Sequence, residues 1–515
     1  MIVSVDDDIR NQSLALAAAS CSTDELLAQC KALDAFARED VNQDSRSSAK
    51  NAANLYQRVR AYFFLYAIHR FHLPASAYKN DDDTKSTPYP ETTLTQQSSG
   101  TTGSIPYEGY QYLQKRQFAF AVDCFLSRQQ EQGGPSAALS SALAAAYYQL
   151  AFSTLAAQVR RAVLQHPGNT WMMMTKTTSS AAAAQSPSQT QQLKLLAQHL
   201  TWKLASSSSG GANNRTNSNH HCHPRVLQES TPVRMDLSHA AWSDIFFLGM
   251  DFPEGARVLN ASIDLVVHTA SNDSDASMVP LPPIDCFLEQ IDEPVLKLTS
   301  LDLQTTVTLT TVGQVFDFAA DHLGLLRAGI IAAGLVPLGL EHSTSLSLAD
   351  VFAAWLAPSS PSSSPGLHLT TRVNDIPKGS RLAVSTNLLA SIIAVCMRAT
   401  GQTTAVTGPL TEDERRLVAA RAILAEWMGG SGGGWQDSGG LWPGIKLIQG
   451  VTAKPADPEH GSSRGRLLPL HRQLSDVEAP PALIQALQDH LVLVHGGMSA
   501  NVGPILEMVT EKYLL

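Results

Sequence analysis

A run of glycines between Gly429 and Gly444 encloses three side chains of chemical interest, the indole rings of Trp435 and Trp442 and the carboxylate of Asp437. Glycine adopts backbone conformations that a Cβ forbids, so this segment predicts a loop that a ligand or another backbone approaches closely. A flexible spacer is the alternative, but spacers are built from small polar residues and usually lack tryptophan. The loop is therefore the first candidate for a functional site.

The residues before this loop predict the helix that positions it. Thr411 and Glu414 have the spacing of a capping box, in which each side chain caps a free backbone N–H. Apolar residues then recur at helical spacing as far as Trp427, and glycines follow where a helix would end. Glu426 therefore lies on the last turn, where the helix dipole disfavours a carboxylate and either solvent or a cation offsets it.

This arrangement resembles the active-site segment of the GHMP small-molecule kinases, and most of all that of L-fucokinases and heptose kinases. Their loop reads much like GGGWQDQ-GG, and residues 434–437 with the glycines after them match it. The resemblance implies that Asp437 is catalytic and faces the hydroxyl that is phosphorylated. It also implies that Gly434, Trp435 and Gln436 contact the substrate and that Glu426 binds Mg²⁺.

A second segment, residues 232–244, resembles the opening motif of the same family, R-I-D-L-A-G-G-W-T-D. By itself this segment would be interpreted as a strand end followed by a polar turn. The resemblance implies that it lines a sugar pocket, where a carboxylate can accept several hydrogen bonds at once. The implied residues are Arg234, with a catalytic role, and Asp236, Trp242, Ser243 and Asp244, with substrate contacts. Either His239-Ala240 or Ala240-Ala241 replaces the glycine pair of the motif, which alters how closely the backbone approaches a ligand.

A third segment, residues 374–387, lies between an alternating strand pattern and an apolar helix pattern. A strand, a short polar loop and a helix N-terminus form an arrangement in which free N–H groups and the helix dipole hold an anion. The segment resembles the GHMP phosphate loop, P-x-G-S-G-L-G-[ST]-S-[SA]. The resemblance implies ATP binding by Pro377, Lys378, Gly379, Ser380, Arg381, Leu382, Ala383, Val384 and Ser385.

This third segment departs from the family pattern at three positions. Arg381 and Ala383 stand where the motif has glycine, and Val384 stands where it has serine or threonine. Each change adds a side chain where phosphate would approach bare backbone. Arg381 either supplies a guanidinium to the phosphates, for which its geometry is well suited, or blocks them. Ser385 matches the motif, and the resemblance implies that it holds Mg²⁺ together with Glu426.

Composition and periodicity predict a helical region at 1–200, a low-complexity linker at 201–230 and a GHMP-kinase-like α+β domain at 231–515. The N-terminal region is predicted to be all α, with one apolar helix from Asn54 to Leu73 closed by Pro74. Apolar stripes at 118–125 and 155–163 resemble tetratricopeptide hairpins, and a plain helical bundle is the alternative. The later strand patterns lie at 257–267, 295–303 and 305–311, and the helical patterns at 315–335, 387–398 and 412–428.

Charge and composition narrow the class of protein. A formal net charge of -9 argues against a general nucleic-acid-binding protein, which presents a basic face. Six cysteines without regular spacing favour reduced thiols, and the N-terminus is acidic where a secretory signal would be basic. No apolar stretch is long enough to span a bilayer, so we expect a cytoplasmic protein without a membrane segment. The ligand-type residues at 220–223 are interpreted as loop composition, because structural zinc sites draw on two spaced pairs.

The final Gly-rich motif of the family, close to G-A-G-G-G-G, is missing. Residues 489–498 are interpreted as a strand that enters a loop, and residues 502–514 as a helix. We therefore expect a kinase domain that is incomplete at its C-terminus. Such a chain would leave an apolar face exposed and self-associate. A nucleotidyltransferase fused to a kinase is disfavoured, because the N-terminal half has no Gly-rich nucleotide signature.

The function that the resemblance implies is transfer of the γ-phosphoryl group of ATP, with Mg²⁺, to a sugar hydroxyl, expected to be the anomeric one. Phosphoryl transfer depends mainly on positioning and on neutralising charge, which suits the residues named above. The alternative is a pseudokinase or sugar-binding scaffold whose helical region binds a protein partner. The altered phosphate loop and the missing motif favour that alternative.

Overall fold

The computed structural model describes residues 1–4, 6–38, 53–79, 104–164, 188–204, 225–238, 246–263, 282–358, 363–429 and 434–492, with single positions at 494, 497, 508, 509 and 512. Internal contacts divide the chain into two compact units. The first comprises Met1–Gln158, Gly461–Ser463 and Val502–Leu515, and the second comprises Val159–His460 and Arg464–Asn501. The boundaries at residues 200 and 230 rest on composition and remain predictions.

The first unit is built from helices in the ranges that the structure describes. They are α1 (Asp7–Arg10), α2 (Leu14–Ala19), α3 (Thr23–Arg38), α4 (Leu55–Ala67), α5 (Leu73–Lys79), α6 (Tyr107–Gln114), α7 (Phe118–Glu131) and α8 (Ala137–Leu164), the last of which contains the boundary between the units. The core draws largely on apolar faces of α4 and α8. The hydroxyl of Tyr147 donates to Asp34 Oδ1 at 2.9 Å, which joins α8 to α3. The tetratricopeptide-like stacking stays a prediction.

The apolar helix predicted from Asn54 to Leu73 does not end at Pro74. A π-helical turn, Ile68–His72, follows α4, and α5 then continues through Pro74 to Lys79. The wider turn starts a new helical segment at Leu73, so Pro74 lies in a first turn. Proline is tolerated there because its missing N–H has no intrahelical partner to lose.

The second unit combines two sheets with helices, which confirms the mixed α and β content predicted for this half of the chain. The strands are β1 (Val226–Thr231), β2 (Val233–Asp236), β3 (Arg257–Ile263), β4 (Ile284–Ile291), β5 (Leu296–Ser300), β6 (Thr305–Leu309), β7 (Gly366–Val373), β8 (Ile445–Gln449) and β9 (Leu470–Gln473). The helices are α9 (Gln189–His199), α10 (Phe246–Asp251), α11 (Val312–Phe316), α12 (Gly324–Ala332), α13 (Leu348–Ala353), α14 (Val384–Ala399), α15 (Glu412–Gly429) and α16 (Pro481–His490).

The two sheets have different strand orders. The five-stranded sheet has the order β1-β4-β7-β5-β6, with β5 and β7 parallel and the other pairs antiparallel. The four-stranded sheet has the order β2-β3-β8-β9 and is antiparallel throughout. Helix α14 is buried along its length, packs on β1 and β4, and contacts α12 and α15. Because α14 begins just after β7, it brings the segment between them close to β2.

Two predicted elements differ in the structure. The segment predicted as one helix at 315–335 forms two helices, α11, which ends at Phe316, and α12, which begins at Gly324. Asp321 lies between them and accepts the Leu323 N–H at 2.7 Å. The strand predicted from residue 489 is wrong at its start, where Asp489 and His490 form the end of α16. Pro481 in the first turn of α16 favours that helix. Within the described ranges, no helix has both the length and the apolar character that a bilayer span requires.

Candidate active site

Arg234 on β2 is the centre of the candidate site. Its guanidinium is buried and donates to two carboxylates, those of Asp236 and Asp437. Arg234 and Asp236 are two residues apart on one strand, so their side chains leave the same face. Asp236 also accepts a hydrogen bond at Oδ1 from Asn260 Nδ2 at 2.9 Å, from the neighbouring strand β3. The structure therefore brings together Arg234 and Asp437, which lie 203 positions apart in the chain.

The partners of Arg234 keep its guanidinium protonated. Burial acts to lower the pKa of the guanidinium, but the carboxylates of Asp437 and Asp236 outweigh burial and raise that pKa above its ordinary value. Buried charges are tolerated when they are paired and hydrogen-bonded, as these are. The raised pKa keeps the guanidinium charged beside both carboxylates.

Asp437 opens a short 3₁₀ turn, Asp437–Leu441, immediately after the Gly-rich run. One carboxylate oxygen binds Arg234, and the other accepts the Gly434 N–H at 2.6 Å. The side chain is 15% exposed, so the carboxylate is fixed on one side and open on the other. A Cβ at Gly434 would lie 3.3 Å from the second oxygen, which explains the glycine at this position. This is the geometry of a group that can accept a proton or orient a hydroxyl.

The predicted phosphate loop runs from Asn374 to Ala383, between the end of β7 and the start of α14. It is tied to the centre of the site, because Leu382 O accepts the backbone N–H of Arg234 at 3.2 Å. Ala383 O accepts a bond from Asn387 Nδ2, one turn into α14, at 2.8 Å. The strand, loop and helix N-terminus are arranged as predicted.

The backbone of this loop has glycine-like conformations at three alternate positions. Gly379, Arg381 and Ala383 have φ angles of 78°, 64° and 55°, which lie in the left-handed region. These are the positions at which the phosphate-loop motif has glycine. For a residue with a Cβ the left-handed conformation costs roughly 1–2 kcal/mol. Two of these three positions carry a Cβ and are strained by this conformation, as is Asp375 earlier in the loop, whose φ is 49°. The side chains of Lys378 and Arg381 are exposed at its surface.

Glu426 lies on α15 and is almost fully buried. Its Oε1 accepts a hydrogen bond from Thr386 Oγ1 at 2.9 Å. Thr386 follows Ser385 in the first turn of α14, so the carboxylate and the phosphate loop meet at this helix end. The donor set of one carboxylate with the Ser385 and Thr386 hydroxyls consists of hard oxygen ligands, which suits Mg²⁺. Among the described residues no cluster of three or more His, Cys, Asp or Glu has the geometry to hold a metal.

The remaining predicted substrate contacts fall into two groups. Trp435 is fully buried, and a Cβ at Gly249 would lie 3.3 Å from its ring, so Trp435 packs on α10. Gln436 is also buried and its Nε2 lies 3.5 Å from Asp236 Oδ2. In this structure both side chains are packed inside the protein, next to Asp437 in the chain. Trp242, Ser243 and Asp244 lie outside the described residues, as do positions 220–223.

Sequence reasoning missed four polar side chains of the site. They are Asn260 on β3, Thr386 and Asn387 on α14, and Lys446 on β8. Each is fully or almost fully buried. A polar residue inside an apolar strand or helix pattern is the signal that would have found them, because buried polar groups need a partner.

The resemblance to the GHMP small-molecule kinases is confirmed by comparison with known proteins. Over 310 residues the chain is 24% identical to the "Bifunctional fucokinase/GDP-fucose pyrophosphorylase" of Arabidopsis thaliana. This match covers 58% of the chain but spans only 23% of the length of that relative. No family model matches the chain.

Similar solved structures include a D-glycero-D-manno-heptose 1-phosphate kinase from Bacteriodes thetaiotaomicron, at 15% identity and a TM-score of 0.29, covering 56% of this chain and 74% of that one. A galactokinase from Lactococcus lactis complexed with galactose matches at 14% identity and a TM-score of 0.27, covering 49% of this chain and 48% of that one.

Proposed function

We propose that the chain is an ATP-dependent sugar kinase of the GHMP class. One observation carries the proposal: Arg234 holds Asp437 with its side chain and the phosphate loop, at Leu382, with its backbone N–H. A single residue thereby fixes the distance between a carboxylate and a helix N-terminus suited to an anion. Phosphoryl transfer needs that arrangement, because catalysis depends on placing the acceptor hydroxyl in line with the phosphate.

The roles of the protein groups follow from their positions. Asp437 would accept the proton of the sugar hydroxyl or orient it for attack. Arg234 would keep that carboxylate in place and offset negative charge beside it. Asp236, with Trp242, Ser243 and Asp244, would bind the sugar. A fucose-like sugar phosphorylated at the anomeric hydroxyl is the finer part of the proposal, and the relative's name supports the choice of a fucose-like sugar.

ATP would lie at the phosphate loop, with Lys378 and Arg381 beside the phosphates and the N-terminus of α14 pointing at them. Glu426 and Ser385 would hold Mg²⁺, with Thr386 as their neighbour. When bound, Mg²⁺ would neutralise charge on the transferring group. The proposal includes a cytoplasmic location, as the irregularly spaced cysteines predict.

A pseudokinase or sugar-binding scaffold, with a partner-binding helical region, is the second candidate. The strained, non-glycine positions Arg381 and Ala383 are the specific observation that favours it.

The decisive experiment is ADP release by the chain with Mg-ATP and a panel of free sugars that includes L-fucose. We expect activity in the wild type and a loss of at least about 100-fold in Asp437→Asn, which keeps the shape of the side chain but removes its charge. Asp476→Asn, an exposed carboxylate in the same unit, is the matched control and should retain full activity. Full activity in Asp437→Asn would exclude the assigned role. Sugar binding without ADP release in the wild type would favour the scaffold.

A further inference from the structure

Four polar side chains form a row across the four-stranded sheet. Asp236 pairs with Asn260, Asn260 pairs with Lys446, and Lys446 pairs with Gln473 in the strand register. Residues that are directly opposite in neighbouring strands project from the same face of a sheet. The row therefore faces one side of the sheet, and its first member binds Arg234.

The first half of the row contacts the start of the Asp437 loop. Asp236 lies 3.5 Å from Gln436 Nε2, one residue before Asp437. A Cβ at Gly439 would lie only 2.7 Å from Asn260 Oδ1, so this side chain packs directly against the loop backbone.

The second half of the row contacts the end of the same loop. Lys446 Nζ donates to Gly444 O at 2.9 Å, and Gln473 Nε2 donates to Pro443 O at 2.9 Å. The row as a whole thus touches the loop at its beginning, middle and end.

Lys446 is the most unusual member of this row, because it is fully buried. Its Nζ also donates to Ser262 Oγ at 3.0 Å. The hydroxyl of Ser262 donates to Trp442 O at 2.7 Å, and the Ser262 N–H donates to Gly444 O at 3.1 Å. Both hydrogen bonds of the amine therefore go to the loop or to the serine that holds the loop.

The charges that face Lys446 come from two strands. Asp236 and Arg234 approach it from β2, and His471 approaches it from β9. Burial lowers the pKa of Lys446 to about 7, against the opposing effect of Asp236. Burying an amine costs free energy unless its hydrogen bonds are satisfied. The bonds that satisfy Lys446 are the ones that hold the loop, so the amine and the end of the loop depend on each other.

We propose that Lys446 is a positioning residue, which fixes the end of the Asp437–Gly444 loop through Gly444 and Ser262 and so sets where Asp437 lies relative to Arg234. The inference rests on the proposed function only for the catalytic consequence. The position of the loop is measurable without any substrate.

The test is hydrogen–deuterium exchange of Lys446→Met. In the wild type the N–H groups of Asp437, Gly439 and Trp442 are bonded to Gly434 O, Gln436 O and Gly439 O, so we expect them to exchange slowly. In the Met variant we expect their exchange to rise by about tenfold or more, with no change in β4, β5 and β7. The catalytic consequence is a fall in kcat of about 100-fold with little change in the KM for ATP, as expected when a reacting group is displaced by about 1 Å.

Three further variants complete the test. Arg327→Met removes another buried cation in the same unit, one that pairs with Asp321, and should leave exchange in the loop unchanged. Lys446→Gln keeps an N–H donor and should recover part of the protection. If Lys446→Met does not fold, Ser262→Ala should raise exchange in the same segment by a smaller factor.

Unchanged exchange of residues 437–442 in Lys446→Met would overturn the proposal, as would an increase spread equally over the whole unit. Local loosening in a chain that has no kinase activity would support the positioning role and count against the proposed function alone.

Discussion

Two loops of the second unit meet at Arg234 and are built in opposite ways. The loop that carries Asp437 rests on buried polar side chains and has glycine where those side chains approach it. The phosphate loop is exposed, and its shape is fixed by backbone bonds and by left-handed residues, three of which have a Cβ. The comparison indicates that the acid-bearing loop is preorganised by packing, whereas the phosphate loop stores strain that a ligand can offset.

The largest expected effect is at the residue that the two loops share. Arg234→Met would leave Asp236 and Asp437 buried without their cation, and removing one partner of a buried ion pair costs about 3–5 kcal/mol. We expect that loss in the free energy of unfolding, measured by urea denaturation, together with loss of any kinase activity.

Arg372→Met is the matched control for this variant. Arg372 pairs with buried Asp285, but Ser230 and Gln228 also donate to that carboxylate, at 2.8 and 3.0 Å. The loss should be smaller, about 1–3 kcal/mol. Equal losses in the two variants would show that Arg234 is an ordinary ion-pair partner.

The strained phosphate loop is tested by comparing two single variants, Arg381→Gly and Ala383→Gly. Both changes relieve the left-handed strain, but only the first removes a guanidinium. If Arg381 contacts the phosphates, its loss should weaken ATP binding by about 1.5–3 kcal/mol relative to Ala383→Gly. The measurement is the rise in melting temperature with Mg-ATP concentration. Tighter binding in Arg381→Gly would mean that the arginine blocks the loop instead.

The packed loop is tested by Gly440→Ala. A Cβ at this position would overlap Asn387 Oδ1, and the Asn387 side chain is buried and bonded to Ala383 O. We expect a loss of about 1–3 kcal/mol from overpacking and, because Asn387 would move, a higher KM for ATP.

Gly429→Ala is the control for that overpacking, since the added Cβ would meet only Leu325 Cδ1, at 3.8 Å. Its stability should change by no more than about 0.5 kcal/mol. An unaltered KM for ATP in Gly440→Ala would show that the two loops do not communicate through Asn387.

The last expected effect is a pH dependence. Lys446 has a pKa of about 7 in the folded chain, lowered by burial, and an ordinary pKa near 10.4 when unfolded. Between these values the unfolded chain binds the extra proton, so the free energy of unfolding rises with pH, by about 1.4 kcal/mol per unit.

In Lys446→Met the free energy of unfolding should no longer rise with pH in this way. The measurement is chemical denaturation of both proteins at several pH values between 7 and 9. The buried thiols of Cys286 and Cys396, whose pKa values are raised, act in the opposite direction at higher pH. They are common to both proteins, so the difference between the curves isolates Lys446. Parallel curves would contradict the assignment.

Resemblance to known motifs identified Arg234, Asp437, Glu426 and the phosphate loop, because these residues carry chemistry that leaves a pattern in the chain. The strands β3, β5 and β6 were also predictable from their alternation. Contacts that depend on three-dimensional register were not. To predict the row that contains Asn260 and Lys446, one must know which strands are neighbours, and local periodicity does not determine the strand order.

Uncertain helix boundaries also limit which contacts of the site can be predicted from the sequence. Helix α14 begins at Val384 rather than near Asn387, and this shift puts the Thr386 hydroxyl on Glu426. Propensity does not fix a helix end to one residue. Ser385 remains the predicted Mg²⁺ ligand, and Thr386 is the contact that only the structure reveals.

The double attachment of Arg234 has a thermodynamic consequence. Its backbone N–H donates to the loop that we propose binds nucleotide, and its guanidinium donates to the carboxylate that we propose faces the sugar. If one ligand displaces Arg234, the binding site of the other ligand therefore changes as well. Such linkage is reciprocal: the factor by which nucleotide alters the affinity for sugar must equal the factor by which sugar alters the affinity for nucleotide.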